Sequence, residues 1–219
     1  MAKSPNDRRL RLVIGLAMAL ILAAPAGAAV ISGSIPAGPG KPPVKYECDH
    51  AEVEYKANVM HLRGNVKIWQ GDISVAAETA DAKGTTQDFK DSHWVFNGKV
   101  HVRSESQGDL RAEHATVEIA GGQLASAVVT GSPALFEQTR PTAGRLAKGH
   151  ARSIDYEVAA ATVTLTGDAV LSDDHNSEDM HSPSITYNIH TMGVEADGGV
   201  GDDRAHYKFT PHSGPGKKP

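Results

Sequence analysis

The sequence predicts an all-β protein, a sandwich, jelly roll or open coiled sheet built from hairpins. Three observations carry this: apolar and polar residues alternate over short runs, glycine-centred segments recur at a nearly constant interval, and hairpin-type turn residues fall between the runs. Alternation puts every second side chain on one face of a pleated strand, so each run has a buried side and a wet one. The recurring segments are Gly64-Asn65-Val66, Gly98-Lys99-Val100, Thr130-Gly131-Ser132-Pro133 and Gly167-Asp168-Ala169-Val170, with their glycines 34, 33 and 36 residues apart. Such a period belongs to arrays whose units need neighbours to bury their apolar faces. The glycines read as turn and packing devices. Repetition points to an extended surface and away from a single catalytic centre.

Taken in order, Arg8, Arg9 and Arg11 precede an uncharged run from Leu12 that closes on Pro25-Ala26-Gly27-Ala28. This is the pattern of a signal peptide over residues 1–28, with cleavage near Ala28 and export of the remainder. A retained membrane anchor is the alternative, since uncharged residues continue to Ile31. The strongly apolar part, however, stops at Ala24, and a helix of that length reaches roughly 20 Å against a hydrocarbon core of ~30 Å. Residues 29–45 hold Gly33, Pro36, Gly38, Pro39, Gly40, Pro42 and Pro43 and read as a flexible linker. The folded domain is expected over residues 46–196, and residues 197–219, rich in Gly, Pro and Lys at their end, as a disordered tail.

Within the domain Val66/Ile68, Ile73/Val75, Trp94/Phe96, Val100/Val102, Val117/Ile119, Val163/Leu165 and Ile185/Tyr187 each present two side chains to one face. Gly71-Asp72, Gln107-Gly108-Asp109 and Gly121-Gly122 stand at hairpin positions. The segment from Ala76 to Ala82 comes nearest to helical spacing, but it falls where a strand is expected.

Charge and motif content exclude several functions. Beyond residue 28 the chain carries 18 basic and 25 acidic residues, a net charge of −7, which is unsuited to neutralising nucleic-acid phosphates. The single cysteine, Cys48, has no internal disulfide partner, so the domain depends on its core alone. Among eleven histidines, Cys48-Asp49-His50 and Asp174-His175 with His181 are the nearest to a metal set, but neither has zinc-site spacing. The stretch from Asp173 to Asp179 lacks the glycine and ordered oxygens of an EF-hand. There is no nucleophile elbow, phosphate loop or His-Glu-x-x-His motif. No catalytic residue, metal or cofactor is expected.

A family resemblance becomes specific from Ala151 onward. Ala151-Arg152-Ser153-Ile154-Asp155-Tyr156, a turn, then Val163-Thr164-Leu165-Thr166-Gly167-Asp168-Ala169-Val170 resembles the repeat of the LptA/OstA-like family of lipopolysaccharide-transport proteins. Ser184-Ile185-Thr186-Tyr187 with Met192-Gly193-Val194-Glu195-Ala196 resembles the next strand pair, and the segment from Val128 to Phe136 the family's signature between repeats. The segments from Asp49 to Val66 and from Gly71 to Asp81 resemble a first copy. Asn58 and Ala161 replace turn glycines common in the family, so the turn from Val158 to Thr162 is expected to be longer or of another type, and the segment from Gly84 to His93 fits the repeat poorly.

The resemblance implies an OstA-like β-jellyroll, an open twisted antiparallel sheet with an apolar groove. It also implies a non-enzymatic periplasmic carrier that shields lipid A acyl chains and bridges inner- and outer-membrane components. The implied partners are lipopolysaccharide, an inner-membrane LptC-like protein, an outer-membrane LptD-like protein, and further copies of the chain head to tail. Edge strands near residues 48–53 and 185–194 would make those contacts by strand pairing. Two alternatives stay open: an LptC-like member anchored in the inner membrane, and a carbohydrate-binding or structural β-repeat protein.

A concave apolar face suits such a cargo, because each buried methylene contributes about 0.8 kcal/mol and a repeated surface holds a chain without trapping it. The expected groove residues are Val66, Ile68, Ile73, Val75, Phe96, Val100, Val102, Leu110, Val117, Ile119, Val163, Leu165 and Ile185. The competing reading is that they fill a closed sandwich core. Trp94 and Tyr156 are expected as rim or packing anchors.

Overall fold

The computed structural model describes residues 30–37, 40–105, 108–139, 146–173, 178–198 and 204–208. The expected signal peptide and its cleavage site, His175, and the chain beyond residue 208 lie outside the described residues. Those described form thirteen strands: β1 (Ile31–Ile35), β2 (Val44–Cys48), β3 (His50–Glu54), β4 (Val59–Gln70), β5 (Ile73–Gly84), β6 (Ser92–Ser104), β7 (Gly108–Ala120), β8 (Gln123–Thr139), β9 (Leu146–Glu157), β10 (Thr162–Asp173), β11 (Glu178–Asn188), β12 (Val194–Asp197) and β13 (His206–Lys208). They make one antiparallel sheet in which β4 to β11 follow one another in chain order as a meander. The all-β class expected from the sequence is correct.

Two corrections fall at the ends. Residues 31–35, read as linker, are a strand paired in register with β2, from Ile31 opposite Cys48 to Ile35 opposite Val44. Pro36, Pro42 and Pro43 lie in the connection between the two strands, so the breakers bound the strands instead of dissolving them. The bare backbone of Gly33 is covered by the Tyr46 ring, which supplies on β2 the packing that glycine lacks. At the other end β13 sits within the stretch read as tail and pairs with β11, from Asp179 opposite Lys208 to His181 opposite His206.

The repeated glycines are not hairpin turns. They lie in the middle of long strands, where Gly64, Gly98 and Gly167 have φ of 75°, 81° and 80° and the residues after them, Asn65, Lys99 and Asp168, have φ of 46°, 48° and 52°. Each Gly-X pair gives its strand one more residue than its neighbour on β11, β7 or β5 at a register shift, which is a β-bulge. The fourth site, in β8, departs further from its neighbours, with two more residues than β7 and β9 at the shift, accommodated through Gly131-Ser132-Pro133 with a cis Ser132–Pro133 bond.

A neighbouring strand completes each glycine bulge in the same way. Asp49 lies over Gly64 and accepts a hydrogen bond from Asn65 Nδ2 at 2.8 Å. Glu78 lies over Gly98 and pairs with Lys99 Nζ at 2.8 Å. Arg152 lies over Gly167 and meets Asp168 at 3.3 Å, with the charges reversed. A side chain on any of these glycines would occupy the space of that polar group.

The bulges line up across the sheet and crease it into two leaves. One leaf holds β1, β2 and the halves of β4 to β11 nearest the turn at Gly71-Asp72 and its counterparts; the other holds β3, β12 and the remaining halves. Inner faces of both leaves meet: Phe136 of the first leaf contacts Tyr187 of the second with ring centroids 6.1 Å apart. Gly149 is needed for this approach. A Cβ there would stand 2.7 Å from Leu165 Cδ2 and 2.8 Å from the Val170 carbonyl oxygen. Gly149→Val should therefore lose about 1–3 kcal/mol by overpacking, read as a lower urea midpoint at unchanged slope.

The departures from the family pattern are also resolved. Asn58 and Ala161 both adopt left-handed φ, 53° and 51°, in four-residue turns over residues 55–58 and 158–161. The second turn has the length and left-handed last residue of the first, and Ala161 accepts the conformation that glycine would take more easily. The poorly fitting segment is the loop between β5 and β6, with Phe89 buried in it and Ser92 Oγ donating to the Phe89 carbonyl.

Candidate functional site

All thirteen residues expected to line a groove face inward between the leaves. Eleven are buried, while Ile73 and Ile119 are partly exposed at the margin. All but Ile73 belong to, or lie against, one apolar cluster that runs from Ile35 on β1 to Tyr187 on β11. Trp94 and Tyr156 are in the same cluster, and Trp94 stacks on Phe96 with centroids 6.0 Å apart and planes 14° from parallel. Both are packing residues and neither is a rim.

Two crevices remain between the leaves. The first is lined by Val44, Ile68, Ile73, Val75 and Val102 on one leaf and by Trp94, Phe96, Val117, Ile119, Leu124 and Ala127 on the other. The second adjoins it through Ile73, Val102 and Leu124, which line both, and is lined further by Leu110, Phe136, Tyr156, Val163 and Ile189, with Ser104, Gly108 and Asp109. Together they give a largely apolar lining along the sheet. Four expected groove residues, Val66, Val100, Leu165 and Ile185, do not contribute to it. They sit beside the crease with 0–2% exposure, where the two leaves converge and no space is left.

Sequence reasoning missed Leu124, Phe136 and Ile189. Phe136 follows a parity slip in β8, where Val129 and Ala134 are successive inward residues five apart, so simple alternation could not project across Pro133. Leu124 and Ile189 lie next to turns, where the strand period has too few residues to register.

The mouth of the first crevice is tied across. Gln70 at the end of β4 donates through Nε2 to the Gly122 carbonyl of the β7–β8 turn at 2.7 Å and to the Pro42 carbonyl at 2.9 Å. Gly121 N–H in turn donates to Asp91 Oδ1 and Gly122 N–H to the Lys90 carbonyl. A bulky guest therefore enters only if these margins separate.

The outer face is polar. His61 Nδ1 meets Asp81 at 2.5 Å while Arg63 Nη2 donates to the same carboxylate at 2.6 Å. His101 Nε2 meets Asp109 at 2.9 Å, and His93 pairs with Glu118. Partial burial of Asp81 works to raise its pKa, but the hydrogen bonds from His61 and Arg63 and their charge outweigh it and hold the carboxyl below its ordinary value. The folded state thus prefers ionised Asp81 more than the unfolded state does. Its contribution is complete above the ordinary carboxylate range near pH 4 and fades as pH falls through the lowered value. Asp81→Asn should flatten that acid limb of a stability-against-pH curve, with little change in its slope above pH 6.

Cys48 and His50 do not converge. Cys48 is buried on the inner face, where burial pushes its thiol pKa up, and His50 is exposed beyond the break at Asp49. Among the described residues no cluster of three or more His, Cys, Asp or Glu could hold a metal ion.

The proposed edges are redrawn by β1 and β12. The outer side of Val44–Cys48 is occupied by β1, and the outer side of residues 184–187 by β12. Among the described residues, β3 pairs only with β4 and β12 only with β11, so the open edges are those of β1, β3, β12 and β13. Met192 and Val194, at 50% and 42% exposure, stand at the second end.

The model of the family described as "LptA/(LptD N-terminal domain) LPS transport protein" matches residues 79–192. The lipopolysaccharide export system protein LptA of Escherichia coli K12 is 25% identical over 183 residues, covering 83% of this chain and 78% of its own. The protein of the same name from Shigella flexneri matches equally. Among solved structures, that of LptH, the LptA homologous periplasmic component of the lipopolysaccharide transport device of Pseudomonas aeruginosa, superposes with a TM-score of 0.41 at 20% identity, over 78% of this chain and 96% of that one.

Proposed function

Since the chain belongs to the LptA/(LptD N-terminal domain) family of LPS transport proteins, we propose that it is a periplasmic carrier that shields lipopolysaccharide acyl chains between its two leaves and bridges inner- and outer-membrane components. It is a transport protein and not an enzyme. The observation that carries the reading is the pair of adjoining apolar crevices, lined from Val44 to Ile189, under a polar outer face. A deep single pocket would hold a lipid in place, whereas a path of similar apolar contacts lets it advance.

The thirteen inward residues divide by role under this reading. Ile68, Ile73, Val75, Phe96, Val102, Leu110, Val117, Ile119 and Val163 touch acyl chains. Val66, Val100, Leu165 and Ile185 hold the crease. Loading separates the Gln70 ties, and the polar head stays at the wet margin. The open edges of β1 and β3 at one end and β12 and β13 at the other pair with an LptC-like protein, an LptD-like protein or further copies of the chain. Heterologous edges of this kind build filaments when they do not close. The export segment over residues 1–28 and cleavage near Ala28 supply the compartment. The matched relatives bear the LptA name, which does not favour the LptC-like alternative.

The test is uptake of lipopolysaccharide by the purified protein, with lipid A and the delipidated polysaccharide as separate competitors. Competition by lipid A alone is expected. Competition by the polysaccharide alone would replace this reading with the carbohydrate-binding one.

A further inference from the structure

Gln138 breaks the apolar character of the inner face. The second half of β8 sends Ala134, Phe136 and Gln138 inward, and all are buried, Gln138 at 4% exposure. Its register partner on β9 is Ala147, also buried, and beside that stands Gly149, opposite Phe136. On the adjoining β7, Gly108 brings its backbone close against this part of β8; a Cβ there would approach Gln138 Cα to 2.8 Å.

The other two buried polar residues are satisfied. Ser92 donates to the Phe89 carbonyl and accepts from Trp94 Nε1, and Ser182 donates to the Asp197 carbonyl. Gln138 Oε1 is the only buried side-chain polar atom among the described residues with no hydrogen-bond partner. A dry, unpaired amide oxygen is destabilising, and Leu or Met in its place would avoid the cost. Such a group is explained if a guest completes it. It lies one inward position beyond Phe136 and opposite Gly108, both of which line the second crevice, so a chain that extends past Phe136 would reach it.

We propose that Gln138 is a selectivity residue that accepts a hydrogen bond from a donor carried near the polar end of an acyl chain, a hydroxyl or an amide N–H. The inference rests on the carrier reading and narrows its cargo. Hydroxylated or amide-linked acyl chains satisfy the orphaned oxygen. Plain ester-linked chains, as in ordinary phospholipids, bring only acceptors there and leave it unpaired, and a site built around a donor rejects the analogue that lacks it.

The experiment displaces a fluorescent fatty-acid probe from the purified full chain with tetradecanoic acid and with 3-hydroxytetradecanoic acid. The wild type should prefer the hydroxy acid roughly five- to tenfold, the size of one hydrogen bond made to an otherwise unpaired group. Gln138→Met, close in shape, should fold at least as stably and lose the preference by weakening the hydroxy acid alone. Gln138→Leu provides the same comparison if the first variant folds poorly. Equal binding of the two acids by the wild type overturns the inference while leaving the carrier reading intact, as does a preference that survives in a folded variant. Failure of both acids to displace the probe overturns both.

Discussion

Phe96→Ala is expected to cost about 3–5 kcal/mol of folding stability while leaving lipid uptake in place. Phe96 is 2% exposed and stacks on Trp94, so truncation removes apolar burial and a ring contact and leaves a cavity. That is a large share of the 5–15 kcal/mol typical of a whole domain. The same side chain lines the first crevice, and its loss widens the path for an acyl chain. Stability and uptake should therefore separate, with saturating lipid restoring part of the lost melting temperature. Urea denaturation with and without lipid reads both effects. If the space beside Phe96 were only a closed core that takes up no lipid, saturating lipid would raise the melting temperature of neither wild type nor variant.

Gly98→Val should destabilise by at least about 2 kcal/mol, because a β-branched residue at φ 81° is strained. Its Cβ also meets the Glu78 side chain that pairs with Lys99. Lys99→Gly is the matching test in the opposite direction. Its φ of 48° is relieved by glycine, so the folded state should lose little or gain slightly despite the loss of the exposed contact to Glu78. If Gly98 and Lys99 had the extended φ of an ordinary strand, both variants would be nearly neutral. Circular dichroism melts of the pair decide the matter.

The inward face was legible because its period is local. Val66/Ile68, Val100/Val102 and Val163/Leu165 all point where alternation puts them. The crease was hidden by the same regularity. In β4, β6 and β10 the Gly-X pair leaves the inward residues an even number apart, Leu62 to Val66, Phe96 to Val100 and Leu165 to Ala169, so the strand reads as continuous. In β5, β7, β9 and β11 the crease falls near Glu78, Glu113, Arg152 and Pro183, and the alternation slips by one, from Ala77 to Ala80 or from Ala151 to Ile154. A slip of that kind in an alanine-rich strand resembles noise. The pairing of each bulge with a charge on the next strand is a long-range feature that local periodicity does not carry.

β1 went unread because composition outweighed pattern. Seven glycines and prolines over residues 29–45 mask Ile31 and Ile35, which join the apolar cluster, and Gly33, which the Tyr46 ring covers. The groove was separable from the core only in three dimensions. Val66 and Ile68 are two residues apart on one face, yet one fills the crease and the other lines the crevice.

The central claim is that acyl chains travel between the leaves, and site-specific photo-crosslinking in cells tests it most directly. A photo-reactive residue at Ile68, Ile73 or Val102, all lining the crevice, should capture lipopolysaccharide, whereas one at Lys67 or Arg111, exposed on the outer face, should not. Folded protein that gives no adduct at any of the three inward positions, or equal adducts inside and outside, would contradict it.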